Sequence, residues 1–230
     1  MKRTRKIARI ASVAIMAIIT ALAITALYAP EEYRAELAEI VENLDAQEDL
    51  ERQIDWDSLP DEIIAWVEVP GTNIDEPIVQ ATPDAPNAYL YRDALGQGAY
   101  GTPYIDCECS IDSRFVLVYG HHMSDGSVFA DFAQFIDEGF AREHSRMIIY
   151  ERTGEAHELE VIAIDIVDAS HERLKIPQVD EFGDRITSCD LILKKPTDSA
   201  RLWAFATCSY QTWNSRTIVY SKPNTIEDHS

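Results

Sequence analysis

The residue types that can do chemistry gather in one stretch, FATCSYQTWNSR at 205–216. Cys208 ends an apolar run that reads as a strand. Polar residues follow it at once, and Arg216 opens the next apolar run, RTIVY. The pattern makes 209–215 a hairpin-like loop, with the thiol at a strand mouth. Paired strands lie about 5 Å apart, so a guanidinium at 216 can face back toward that thiol. A thiol is a nucleophile only as the thiolate, which needs a base or an electropositive setting. Among the six histidines, His121 and His122 follow a second apolar run, RFVLVYG, and so also sit at a strand mouth. Adjacent side chains diverge, so one of the two can face the thiol. His144, His157 and His171 lie in polar stretches and read as surface residues; His229 is terminal. Taken singly, Cys208 reads as a buried inert cysteine and the histidines as a solvated turn. Taken together they form an acyl-transfer set, in which the thiolate attacks a carbonyl, the imidazole moves protons and the arginine donates to the oxyanion.

The other cysteines do not compete for that role. Cys107 and Cys109 are two apart, and Cys189 is remote from them, a spacing unlike a disulfide framework. A C-x-C without a matching second pair is a weak zinc signal, and neither a metal nor an organic cofactor is expected.

The chain has 230 residues and a net charge of −20. Five basic residues fall within residues 2–9, leaving 15 basic against 40 acidic side chains in the rest, a balance that repels nucleic acid. Residues 10–29, IASVAIMAIITALAITALYA, contain no charge, Gly or Pro. A helix of that length spans roughly 30 Å, the thickness of a bilayer core. The preceding basic cluster orients it with the N-terminus cytoplasmic and the body outside. A signal peptide cleaved after Ala21-Leu22-Ala23 is the rival reading; the apolar run continues six residues past that site, which favours an anchor.

The elements that must position the chemistry follow. Leu37, Ile40, Val41 and Leu44 fall at helical spacing after Pro30 and predict an amphipathic helix. DSLPDE (57–62) predicts a break and a second short helix. From residue 64 short β-rich runs dominate: IIAWVEVPGTNIDEPIVQA with a turn at Pro70-Gly71, then TPYIDCEC, RFVLVYG, RMIIYE, HELEVIAIDIVDA, CDLILKK, RLWAFATC and RTIVYSK. Helical turns are expected at 126–144 and 179–186. Many short strands with few helices predict a mostly-β, closed or nearly closed barrel. The expected organisation is a basic tail (1–9), a membrane anchor (10–29), a helical extension (30–62) and one catalytic barrel (63–230).

These features resemble the sortases, membrane-anchored cysteine transpeptidases of Gram-positive bacteria. The order of His, then TC, then Arg opening the next strand is theirs. VPGTNIDEPIVQ (69–80), NAYLY (87–91), GTPYID (101–106), YGHHMSDGSVFADF (119–132) and ATCSY (206–210) resemble class B in particular, in that order. The resemblance covers about residues 35–222. It implies Cys208 as nucleophile, His121 as general acid/base and Arg216 as the oxyanion and substrate-positioning residue. Thr207 would add a hydroxyl near the substrate carbonyl, and Asn87 and Leu90 would belong to the substrate groove. His122 stands where the family often has Asn, and Ser209 where some relatives carry an acid. The implied partners are a secreted protein with a C-terminal sorting signal, an amine acceptor on a cell-wall precursor or a pilin lysine, and the membrane through the N-terminal helix. A hydrolytic cysteine peptidase and an inactive sortase-like binding protein are the alternatives.

Overall fold

The computed structural model describes residues 21, 34, 52–96, 98, 100–168, 174–195, 201–209 and 215–224. The chain divides into two compact units, Met1–Ile54 and Asp55–Ser230. In the first, Ala21 and Arg34 are helical. The rest of the expected anchor at 10–29, and the amphipathic stripe at 37–44, lie outside the described residues. Among the described residues, no helix is long and apolar enough to cross a membrane.

Among its described residues the second unit carries nine strands: β1 (Ile63–Glu68), β2 (Asp75–Gln80), β3 (Tyr104–Ile105), β4 (Phe115–Gly120), β5 (Arg146–Glu151), β6 (Ala156–Asp168), β7 (Leu191–Ile192), β8 (Leu202–Ser209) and β9 (Ser215–Pro223). Their order is β5-β1-β2-β3-β4-β8-β9-β6, and a β5–β6 pairing closes the ring into an eight-stranded barrel; β7 adds beside the long β6. Closure leaves the ring without an exposed edge.

Side-chain alternation builds two layers from the same strands. On β4 and β8, Val116, Val118, Trp203 and Phe205 pack in the main barrel core. Phe115, Leu117, Leu202, Ala204 and Ala206 pack in a second cluster with Ile218 and Tyr220 of β9. Both faces of β4 and β8 are buried, which is why these runs read as continuously apolar instead of alternating. A 3₁₀ segment, Ala130–Ile136, brings Phe132 and Phe135 into the main core, where Phe132 stacks on Phe205 at 5.4 Å. The helix α1 (Glu138–Glu143) follows, its N-terminus capped by Asp137, which accepts from the Phe140 amide. The helix α2 (Phe182–Thr187) covers the second cluster through Phe182 and Ile186. Each such burial stabilises by about 1.5–3 kcal/mol.

Three expected elements differ. The short helix expected within 57–62 is a single 3₁₀ turn at Trp56–Ser58, after which Pro60 and a turn lead straight into β1. TPYIDCEC forms only two strand residues, because Asp106 ends the run: its side chain accepts from the Glu108 amide and its carbonyl from the Cys109 amide. CDLILKK also pairs for only two residues, opposite Ala163 and Ile164.

Candidate active site

The parallel pairing of β4 with β8 and the antiparallel return of β9 decide the site. Gly120 lies opposite Thr207, so the next step brings His121 beside Cys208. On the other side of β8, Cys208 lies directly opposite Arg216. Directly opposed residues have Cβ atoms about 4.5–5.5 Å apart. The eight-residue spacing from Cys208 to Arg216 is thus the register of one hairpin, whose tip at 210–214 lies outside the described residues. Alternation puts His121 on the face of Leu117 and Tyr119, and Cys208 on the face of Ala204 and Ala206. All three side chains therefore belong to the second layer, at one end of the sheet.

That end opens into a groove of about 820 Å³. Asn87, Leu90, His121, Thr207, Cys208 and Arg216 all line it. Leu90 does so in an unexpected way: its backbone carbonyl accepts a hydrogen bond from His121 Nε2. A carbonyl only accepts, so Nε2 carries the proton and Nδ1 is left as the basic nitrogen. Gly101 makes this close approach possible; a Cβ there would lie 2.4 Å from the Leu90 oxygen. The Thr207 hydroxyl is not where the sequence reading put it. Thr207 is 2% exposed, on the barrel-core face opposite Thr217, and neither buried hydroxyl has a hydrogen-bond partner. Strand alternation is the reason: neighbours 207 and 208 point to opposite sides.

His122 lies off the groove, but its Nδ1 donates to the Cys208 carbonyl at 2.9 Å. It therefore fixes the backbone that carries the thiol. His144 and His157 are not simple surface residues. His144 Nδ1 donates to the Pro70 carbonyl at 3.1 Å, and its ring packs on Phe140. His157 pairs with the buried Glu151 at 2.9 Å. Glu151, Glu155 and His157 bring three metal-type donor atoms within 4.8 Å of one another, but the hydrogen bond between His157 and Glu151 already engages that buried carboxylate, and none of the three lines the groove.

All four cysteines are free. Cys208 is exposed, whereas burial pushes the Cys109 thiol up to about 11 and the Cys189 thiol to about 12. Cys107 lines the groove, a placement the sequence reading missed. Its thiol is also raised, by desolvation and by the carboxylates of Asp106 and Glu108. The sequence reading also missed the aromatic wall. Tyr89, Tyr91, Tyr104 and Tyr119 line the groove, and Tyr91 stands 5.8 Å from the His121 ring. Burial raises both Tyr104 and Tyr119, while the Arg216 charge pulls each back. Both phenols stay neutral and can donate. Tyr89 and Tyr91 lie in the loop before β3 and carry no periodic signal, while Tyr104 and Tyr119 lie on β3 and β4, so only barrel closure shows that these rings converge.

A thiol, an imidazole and a guanidinium at one end of a groove are the groups that acyl transfer through a thioester requires. No protein-family model matches the chain. Sortase B of Listeria monocytogenes is 26% identical over 136 residues, 56% of this chain and 54% of that protein; the chain thus matches about half the length of this curated relative. Among solved structures, a Streptococcus pyogenes class B sortase involved in pilus biogenesis superposes with a TM-score of 0.63 at 23% identity, over 74% of this chain and 96% of that one. A Staphylococcus aureus sortase B–substrate complex gives 0.61 at 18% identity, over 73% and 82%. The fold is that of the sortases. Within that fold the likeness, in sequence and in architecture, is to class B.

Proposed function

We propose that this protein is a class B sortase that acts as a cysteine transpeptidase on a C-terminal sorting signal. The observation that carries the reading is the register that sets the one exposed cysteine between an imidazole and a guanidinium at the end of a groove. Cys208 Sγ attacks the scissile carbonyl carbon as the thiolate, giving a tetrahedral oxyanion. Arg216 donates to that oxygen. His121, proton-bearing at Nε2 toward Leu90, first takes the Cys208 thiol proton on Nδ1 and then passes that proton to the leaving amine, and the C–N bond breaks to leave a thioester. An acceptor amine then attacks the thioester carbonyl. His121 takes its proton, and the Cys208 thiolate leaves.

The long face of the groove, from Asn87 and Leu90 to Cys208, is where an extended peptide would lie. A Staphylococcus aureus relative has been solved with substrate, which supports a peptide ligand here. The apolar run at 10–29 would hold the enzyme at the outer membrane face, where exported substrates and amine acceptors meet. The acceptor is an amine on a cell-wall precursor or on a pilin subunit. The test is to incubate the full-length protein with sorting-signal peptides, with and without an amine, and to read products by mass. Amine-dependent transfer supports the proposal. Cleavage indifferent to amine makes the protein a peptidase, and no turnover makes it a binding protein.

A further inference from the structure

One charged residue of the groove takes no part in the chemistry. Among the described residues that line it, Asp106 is the single carboxylate and Arg216 the single fixed cation. Arg216 stands opposite the thiol. Asp106 stands at the far end of the tyrosine wall, and the register gives the separation. The Asp106 amide donates to the Leu117 carbonyl at 2.8 Å, which extends the pairing of Tyr104 with Tyr119 and of Ile105 with Val118. On its other side β4 pairs Gly120 with Thr207, one step short of Cys208. From the level of Leu117 to that of Cys208 is four residues, and from β3 to β8 is two strands. At ~3.3 Å per residue and ~4.8 Å per strand, Asp106 lies about 16 Å from the thiol's position. Alternation sets it on the face of Tyr104, so the carboxylate and the rings of Tyr104 and Tyr119, 5.5 Å apart, share the groove.

The local fold needs an oxygen at 106 and not a charge. One carboxylate oxygen accepts from the Glu108 amide at 2.8 Å and so turns the chain out of β3. An asparagine oxygen makes the same turn. Among the described residues no lysine, arginine or histidine pairs with Asp106, and the neighbouring Glu108 is another acid. A half-buried carboxylate without a cation costs more than an amide in its place. Asp106 is also too far from Cys208 to touch the reacting atoms or to hold the attacking amine. What it can reach is a peptide lying in the groove. An extended chain advances ~3.3 Å per residue, so the side chain that arrives beside Asp106 belongs to a residue about three to five positions from the scissile bond. A lysine or arginine there lays its apolar stem on the two phenol rings and brings its charge to the carboxylate.

We propose that Asp106 is a specificity-determining residue: it selects a sorting peptide that carries a lysine or arginine about three to five residues from the scissile bond. The proposal rests on the reading of the groove as a transpeptidase site. Its first readout is binding, so the two can fail separately.

The test is affinity selection from a library of random dodecapeptides. Full-length Cys208→Ala, which can bind but not acylate, is compared with Cys208→Ala/Asp106→Asn. Asparagine keeps the oxygen for the Glu108 amide, so denaturant unfolding of the two proteins should coincide. The acidic body attracts any cationic peptide, so the difference between the two proteins carries the result. The pool retained by the first should be about tenfold richer in lysine- or arginine-bearing peptides than the pool retained by the second. A retained lysine peptide and its glutamine counterpart then go to wild type and to Asp106→Asn. Wild type should show a KM about tenfold lower for the lysine peptide and a kcat within about twofold, because the contact is remote from the reacting atoms. Asp106→Asn should treat the two peptides alike, and about 0.5 M salt should narrow the gap in wild type. Pools of equal basic content, or a lysine preference that survives Asp106→Asn, would overturn the proposal. Should the asparagine variant fold poorly, the salt arm decides, and a wild-type preference unmoved by salt would overturn it as well. The expected difference between pools, with no retained peptide cleaved by wild type, would count against the transpeptidase and not against the role of Asp106.

Discussion

Gly101 supports His121 at one remove, and Gly101→Ala should show it. Its φ is 72°, which an L side chain adopts at a cost of about 1–2 kcal/mol. The new Cβ would also meet backbone, 2.4 Å from the Leu90 oxygen and 2.7 Å from the Tyr89 oxygen. To reach ordinary contact the Leu90 carbonyl must retreat by about 1 Å, a displacement of the very group that holds His121 Nε2. A misplacement of that size can cost about 10²-fold in rate. Strain plus crowding should destabilise folding by about 2–4 kcal/mol. Gly154→Ala is the control: its φ is 95°, no atom lies within 4 Å of the added Cβ, and it sits in the β5–β6 hairpin away from the groove. It should bear the backbone strain and acylate like wild type. The assay is single-turnover acylation by a sorting peptide, read by intact mass at a temperature where denaturant melts show each variant folded. If Gly101→Ala acylates within a few-fold of wild type while destabilised no more than Gly154→Ala, the Leu90 carbonyl does not position the histidine.

Arg216→Lys should lose about 10²–10³ in acylation rate, close to Arg216→Ala, because the planar fork and not the charge meets the oxyanion; a lysine variant near wild type would refute a geometric role. Glu76 gives a pH signature in stability. Burial lifts its folded value to about 7 from the ordinary 4.5, so its ionisation penalty is absent at pH 4.5 and below, grows between 4.5 and 7, and is complete above 7. Glu76→Gln should therefore stabilise the protein by up to about 3 kcal/mol at pH 8 and by little near pH 4.5; equal differences at both pH values would remove the group from the account. Thr217→Val replaces a fully buried hydroxyl that has no partner with a methyl of like shape, so denaturant unfolding should show a neutral or stabilising change, up to about 1–2 kcal/mol; a loss would mean that the hydroxyl is satisfied.

What the sequence made legible was local. A run such as IIAWVE was readable as a strand without coordinates, and in the structure it alternates buried and half-buried residues as a barrel strand must. The Cys208–Arg216 relation was legible because a hairpin converts sequence spacing into register. The side of the thiol on which Thr207 stands followed from the same period of two, but only once the inner face of the barrel was known. The His121–Leu90 contact and the tyrosine wall were not legible. Each joins residues far apart in sequence across strands that become neighbours when β3 enters parallel to β2 and β4 parallel to β8. The short extents of β3 and β7 were also hidden, since strand propensity does not report how many residues find a partner.

The most direct test of the central claim is to trap the covalent intermediate. The full-length protein is exposed to a library of candidate sorting peptides without amine, quenched in acid, digested and mapped by mass. The account predicts one acyl adduct, on Cys208, released by hydroxylamine, absent from Cys208→Ala and retained in Cys107→Ala. An adduct on Cys107, the other thiol that lines the groove, or one that survives in Cys208→Ala, would contradict it.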